Sequence, residues 1–157
     1  YMKFRMNFGI AKTIILAVIA AGALAIIGVD IAMLAGENTA EPAIAGVSVG
    51  AATLIAVASL LVLFNSYYKF KDGQLVTVLG FFVDKIDYND LVCVKQNSET
   101  REIYLITKGV KQTDGEISFK VNIPTQKVDD FIASLRDKIG DIIVEVYTPE
   151  KKDKNKK

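Results

Sequence analysis

The chain begins with two long runs of apolar residues joined by a short polar link. The first run, residues 13–35, is 23 residues long with Asp30 as its only charge, and the second, residues 43–64, is 22 residues long with none. At about 1.5 Å per residue each run would make a helix roughly 33 to 35 Å long, enough to cross a hydrocarbon core of about 30 Å. The pattern therefore predicts two transmembrane helices, at 13–35 and 43–64, with a connecting loop at 36–42.

Two other readings of these runs fit the pattern less well. Helices buried in a soluble bundle show polar positions every third or fourth residue, whereas the second run offers only Ser48, Thr53 and Ser59. A secretory signal has a shorter apolar core than the first run, which continues past the potential cleavage site Ala23-Leu24-Ala25. We therefore expect an uncleaved first span.

Basic residues flank the two runs and are missing from the link. Lys3, Arg5 and Lys12 precede the first run, Lys69 and Lys71 follow the second, and the link carries only Glu37 and Glu41. Because Lys and Arg are enriched on the cytoplasmic side of membrane proteins, both termini are expected to be cytoplasmic and the link external. This predicts a two-span protein of the cell membrane with a cytoplasmic N-terminal segment at residues 1–12.

Two features inside the runs are candidates for function. Asp30 would lie about 26 Å along the first helix from Thr13, close to the outer interface, where reaching water is a simpler role than binding a proton or cation. In the second run, Gly46 and Gly50 form a GxxxG motif, whose small residues let helix backbones approach closely. The motif is compatible with packing against the first helix and with pairing between two chains.

The periodicity changes from helix to strand after Phe64. Strands are predicted at 67–71, 74–80, 81–86, 91–96, 101–107 and 117–123. Asp72-Gly73 supplies the tight turn between the first two. In the last strand Ile117, Phe119, Val121 and Ile123 alternate with polar residues, which predicts that these four side chains face the core.

An amphipathic helix is expected after Pro124. Apolar residues recur at helical spacing at Val128, Phe131, Ile132, Leu135 and Ile139. Thr125 is a candidate N-cap and Gly140 a candidate stop. Residues 141–147 are expected to form one more strand or a docked tail, which gives a cytoplasmic domain at 66–148 and a charged tail at 149–157.

The order of several short segments resembles the bacterial pleckstrin-homology (PH) domain family over about residues 66–140. These are Tyr67-Tyr68-Lys69-Phe70-Lys71-Asp72-Gly73-Gln74-Leu75, the hairpin at Gly80, Lys85-Ile86-Asp87-Tyr88-Asn89-Asp90-Leu91, Ile123-Pro124, and Phe131-Ile132 in the closing helix. The resemblance implies a bent antiparallel sheet of about six or seven strands, capped by a C-terminal helix. The expected fold class is thus a membrane α-helical hairpin plus an α+β, mainly β, cytoplasmic domain. The resemblance implies no chemistry.

The residue types argue against an enzyme. The chain has no His, which excludes a His base and a His metal ligand, and Cys93, the single cysteine, lies between two valines as a small core residue would. Neither a GxGxxG nor a GxxxxGK[ST] phosphate loop occurs. We expect no cofactor, no metal and no small-molecule substrate. Nucleic-acid binding is not expected because the chain from Ser66 onward carries 16 basic and 15 acidic residues.

The lipid bilayer and a protein are the expected partners. Lys69 and Lys71 are candidate lipid contacts, but the phosphoinositide-reading members of the wider family also place Arg-x-Arg in the second strand, where this chain has Gln74 and Thr77. In the tail Lys151, Lys152 and Lys154 are further candidates, since each Lys near an anionic leaflet can contribute about 1 kcal/mol. Residues 75–82 contain more apolar side chains than one inward face can accommodate, so a protein interface is expected there.

These observations favour a membrane-anchored, non-enzymatic interaction or assembly module that forms a homo-oligomer or binds another protein. An anionic-lipid-sensing domain is the first alternative. An accessory subunit of a transporter or channel is the second.

Overall fold

The structure, a computed structural model, describes residues 2–36, 42–109 and 115–149. Its helices are α1 (Gly9–Ala35), α2 (Pro42–Phe64) and α3 (Val128–Ile139). Its strands are β1 (Lys3–Arg5), β2 (Ser66–Lys71), β3 (Gln74–Leu79), β4 (Phe82–Asp87), β5 (Leu91–Asn97), β6 (Ile103–Lys108), β7 (Glu116–Val121) and β8 (Val144–Tyr147). The expected layout of two long apolar helices, a series of short strands and a C-terminal helix is confirmed.

The described residues divide into two compact units. The helical unit comprises residues 8–36, 42–67 and 78–83, and therefore includes the turn between β3 and β4. The sheet unit comprises residues 2–7, 68–77, 84–109 and 115–149. The strands form two four-stranded sheets, ordered β1-β2-β3-β4 and β7-β6-β5-β8.

The two long helices of the helical unit pack through small side chains. Ala23 of α1 and Ala52 and Ala56 of α2 form one buried cluster, with Ile27 against it. Small residues allow close backbone approach, which favours a helical hairpin. The first helix begins at Gly9, four residues earlier than the predicted Thr13. Of the predicted link at 36–42, Pro42 begins α2 and residues 37–41 lie outside the described residues.

The core of the sheet unit is built on edge-to-face aromatic contacts. Phe131 of α3 is fully buried, with its ring centroid 5.3 Å from that of Phe4, 5.1 Å from that of Phe70 and 5.8 Å from that of Tyr68. These separations are favourable for T-shaped pairs. Phe131, Val128, Ile132 and Leu135 of α3 are all buried, which confirms the helical periodicity.

Four details correct the sequence-based picture of this unit. The segment before α1 contains a strand, β1, whose Phe4 enters the core. Strand β8 runs parallel to β5, pairing Val94 with Val144, so the expected all-antiparallel sheet is wrong. Phe119 is 37% exposed because β7 is the outermost strand of its sheet. A 3₁₀ turn at Thr125–Lys127 precedes α3, so Lys127, not Thr125, lies at its N-cap position.

Candidate functional site

The turn between β3 and β4 contacts the C-terminal end of α2 within the helical unit. The amide of Gly80 lies 3.1 Å from the carbonyl oxygen of Asn65 and 3.2 Å from the hydroxyl of Ser66, and donates to both. The side-chain amide of Asn65 donates to the carbonyl oxygen of Gly80 over 2.7 Å. Both backbone polar groups of Gly80 are thus satisfied by the two residues that follow α2.

The same residues also cap α2. The amide of Asn65 donates to the carbonyl of Leu61 over 2.8 Å, and the Ser66 hydroxyl donates to the carbonyl of Val62 over 2.6 Å. The last carbonyls of a helix have no partner within the helix, so Asn65 and Ser66 satisfy two of them. One polar pair therefore ends the apolar helix and anchors the hairpin turn.

Glycine is favoured at position 80 for two reasons. Its φ of +63° lies in the left-handed region that glycine tolerates best. A Cβ at this position would lie 3.0 Å from Cγ2 and 3.2 Å from the backbone nitrogen of Val62. A larger residue at position 80 would therefore be strained and would require Val62 to move.

The residues after Gly80 are apolar and exposed. Phe81, Phe82 and Val83 are 58, 63 and 57% exposed, and the rings of Phe81 and Phe82 lie 4.3 Å apart. In the preceding strand Leu75, Val76 and Val78 are buried. The surplus of apolar residues predicted in 75–82 is thus located at the tip of the hairpin. We call residues 80–83 the hairpin tip.

The GxxxG glycines lie on a face of α2 that does not contact α1. Gly46 and Gly50 are both exposed, and a Cβ at either would have no described atom within 4 Å beyond its chain neighbours and the adjacent backbone of its own helix. The buried residues of α2 are instead Ala45, Ala52, Ala56 and Ser59. At 3.6 residues per turn their mean direction differs from that of the two glycines by roughly a third of a turn.

The candidate lipid contacts are described only in part. Lys69 and Lys71 share the partly buried face of β2, opposite the core residues Tyr68 and Phe70. Lys151, Lys152 and Lys154 lie outside the described residues. Asp30 is partly buried, and its Oδ2 has no hydrogen-bond partner among the described residues.

A cleft of about 630 Å³ lies in the sheet unit beside α3. It is lined by Met2, Phe70, Asp72, Asp130, Ala133, Ser134, Asp137 and Lys138. Lys138 forms an ion pair with Asp72 at 3.1 Å. Among the described residues, no three His, Cys, Asp or Glu side chains are grouped as metal ligands would be.

Cys93 has the environment of a structural residue. It is 6% exposed in β5, and burial together with the carboxylate of Glu145 raises the pKa of its thiol. Since the thiolate is the reactive form, a raised pKa makes this cysteine a poor nucleophile. The sequence-based interpretation of Cys93 as a core residue is confirmed.

Sequence analysis missed the roles of Asn65 and Ser66. One sequence feature could have indicated these roles: Asn65 and Ser66 are a polar pair directly after the second apolar run, and Asn65 lies fifteen residues before the turn at Gly80. No protein-family model, curated protein or solved structure matches this chain.

Proposed function

We propose that this protein is a membrane-anchored, non-enzymatic assembly module. In this proposal α1 and α2 cross the cell membrane as a hairpin, and the sheet unit is a cytoplasmic PH-like domain. Support for the spans comes from their length and from their surfaces, since only 11 and 17% of their most apolar stretches is buried. Core helices of a soluble protein would be mostly buried.

The observation that carries the assembly proposal is the free glycine face of α2. In lipid, helix association depends on close packing of small residues, because apolar side chains gain nothing by leaving the acyl chains. The α1–α2 contact uses Ala52 and Ala56, so Gly46 and Gly50 remain accessible to a helix from another chain. A second copy of this chain is the simplest partner that provides such a helix.

Energy transfer between donor- and acceptor-labelled full-length chains in liposomes tests the assembly. Gly46→Ile with Gly50→Ile should reduce transfer at every protein-to-lipid ratio, because the added side chains keep the backbones apart. Ala51→Ile is the matched control, since Ala51 is a small exposed residue on a different face of the same helix. Equal transfer in all three proteins would argue against pairing through the glycine face.

The PH-like assignment is supported by the order of the elements. After α2, six strands from β2 to β7 are followed by Pro124 and by α3, whose Phe131 and Ile132 are buried. The added strands extend this arrangement, β1 at the edge of one sheet beside β2 and β8 at the edge of the other beside β5. We propose that the sheet unit acts through its surface, as a protein-binding domain.

Lipid sensing is the alternative favoured by one observation. Lys69 and Lys71 lie on the same face of β2, within seven residues of the end of α2. If they read anionic headgroups, the full-length protein should be more stable to heat in anionic than in neutral nanodiscs, and Lys69→Glu with Lys71→Glu should remove the difference. An unchanged difference would argue against lipid sensing through these residues.

The accessory-subunit alternative predicts a different companion. If it is correct, purification in mild detergent should recover this chain bound to a larger membrane protein, and not as a homo-oligomer.

A further inference from the structure

The hairpin tip combines an apolar surface with a fixed position beside α2. Phe81, Phe82 and Val83 are three consecutive exposed apolar residues. Phe81 lies in the turn, and Phe82 and Val83 present side chains on opposite faces of β4, an edge strand. A core explains only one face of a strand. Apolar side chains on both faces of the strand therefore indicate that the hairpin tip is placed in an apolar environment.

The position of the tip is set by its hydrogen bonds to the end of α2. Gly80 is bound through both its amide and its carbonyl to Asn65 and Ser66, one and two residues beyond the last residue of the helix. The last residue, Phe64, is itself 70% exposed. The tip therefore continues the apolar surface of α2 at the level where the helix ends.

The polar groups of the tip limit the environments that it can enter. In hydrocarbon every unpaired backbone group is costly, so irregular backbone is excluded from the bilayer core. At Gly80 this cost is avoided, because both backbone groups are paired. From Asp84 onward the strand is charged, with Asp84 and Lys85 exposed, so insertion can extend no further along the chain than Val83.

We propose that the hairpin tip is a third membrane contact, which inserts Phe81, Phe82 and Val83 into the boundary between headgroups and acyl chains where α2 leaves the bilayer. Exposed apolar patches bordered by polar residues are typical of membrane-binding surfaces, and Phe is one of the residues used at this boundary. The inference rests on the proposed membrane span of α2 and adds a contact that the span does not require.

Tryptophan fluorescence in the full-length protein tests this inference. The chain contains no Trp, so each single substitution creates a unique probe. Phe82→Trp is the test variant. Leu54→Trp, exposed and about 15 Å from the end of α2, marks the bilayer centre if the helix spans. Phe119→Trp, partly exposed beside the ion pair of Lys120 with Glu102, marks an aqueous surface.

The proteins are reconstituted in vesicles of lipids brominated at different depths along the acyl chain. Phe82→Trp should emit at short wavelength, be quenched most by bromines near the headgroup, and resist aqueous iodide. Leu54→Trp should be quenched most by the deepest bromines. Phe119→Trp should respond to iodide and to no brominated lipid.

Three results would contradict the proposal in different ways. If Phe82→Trp behaves like Phe119→Trp, the tip is in water. If Phe82→Trp emits at short wavelength but no brominated lipid quenches it, a protein surface covers the tip. If Leu54→Trp is not quenched by lipid, α2 does not span the membrane, and both the proposed membrane anchor and the proposed insertion of the tip are wrong.

Discussion

At the scale of single residues, two buried tyrosines of the sheet unit differ in how their hydroxyls are satisfied. The amide of Asn122 donates to the hydroxyl of Tyr68 over 3.0 Å. The hydroxyl of Tyr88 has no hydrogen-bond partner among the described residues, although Tyr88 is only 8% exposed. Removing a satisfied group and removing an unsatisfied one should therefore have opposite consequences.

Tyr68→Phe should destabilise the protein by about 1 kcal/mol, because it leaves the Asn122 amide without its partner. Tyr88→Phe should be neutral or stabilising, by up to about 1 kcal/mol, because it removes a desolvated hydroxyl that makes no bond. Denaturant unfolding of the full-length protein in detergent measures both. A larger loss for Tyr88→Phe than for Tyr68→Phe would show that the Tyr88 hydroxyl makes a stabilising bond.

The buried hydroxyl of Tyr88 should also make the stability of the protein depend on pH. Burial, reinforced by the carboxylate of Asp72, raises the pKa of Tyr88 to about 12, above the ordinary value of about 10 for tyrosine. The folded state therefore keeps a proton that the unfolded state loses. The corresponding stability is fully present below about pH 10 and is lost as the pH rises towards 12. The unfolding free energy of wild type should fall more steeply over this range than that of Tyr88→Phe, and parallel curves would contradict the prediction.

Gly80→Ala should weaken the contact between the hairpin tip and α2. Gly73→Ala is the matched control, because Gly73 also has a positive φ, +81°, but a Cβ there would have no described atom within 4 Å beyond its chain neighbours. The control should cost about 1 kcal/mol for conformation alone. Gly80→Ala should cost about 1 to 2 kcal/mol more, since Val62 must also move. Equal losses in denaturant unfolding would mean that the turn accommodates a methyl group beside Val62.

Phe119 and Phe131 show what apolar patterning can and cannot predict. Both are large residues at regular apolar positions, yet Phe131 is fully buried and Phe119 is 37% exposed. Alternation identifies the face on which a side chain lies, but not whether a neighbouring element covers that face. Strand β7 is at the edge of its sheet, so the cover is incomplete there.

At the scale of elements, segments with a clear periodic pattern were predictable, and the three-residue strand β1 was not. Helix α3 was found because its 12 residues carry a complete amphipathic pattern. Strand β1 has only three residues, and Lys3 and Arg5 gave it the appearance of a basic segment preceding a membrane span. The contact between Gly80 and Asn65 joins residues 15 apart, and hydrophobic periodicity contains no information about it.

The burial of Phe4 predicts that strand β1 contributes to the stability of the sheet unit. Phe4→Ala and Phe131→Ala should each cost about 3 to 5 kcal/mol, because both rings lie in one aromatic cluster. The single thiol, Cys93, is buried and measures opening of the sheet unit by its labelling rate in detergent. At tenfold per 1.4 kcal/mol, labelling should accelerate by roughly 10² to 4 × 10³-fold.

Phe119→Ala serves as the control for these variants and should accelerate labelling about tenfold or less, because its ring is partly exposed. A similar small effect of Phe4→Ala would mean that β1 contributes little to the core. A fragment starting at residue 66 is unsuitable for this measurement, since it lacks β1 and Phe4.

At the scale of the whole molecule, strand β1 links the start of the chain to its C-terminal half. Residues 2–7, 84–109 and 115–149 belong to one compact unit, with Asn7 donating its amide to the carbonyl of Asn122 over 2.8 Å. Segments that form one folded unit must lie on the same side of a membrane. The chain can therefore cross a bilayer only an even number of times between residues 7 and 68, as two spanning helices do.

This constraint sharpens the topology prediction. In a Cys93→Ala background, Asn38→Cys should react with an impermeant thiol reagent added to intact cells, because the basic residues lie at the opposite ends of the helices. Met2→Cys and Asn155→Cys should both stay unlabelled until the membrane is permeabilised. Labelling of Met2→Cys and Asn155→Cys from outside, with Asn38→Cys protected, would reverse the orientation and keep the hairpin. Labelling of only one terminus would contradict the two-span arrangement itself, because β1 could not then pair with β2 in the same chain.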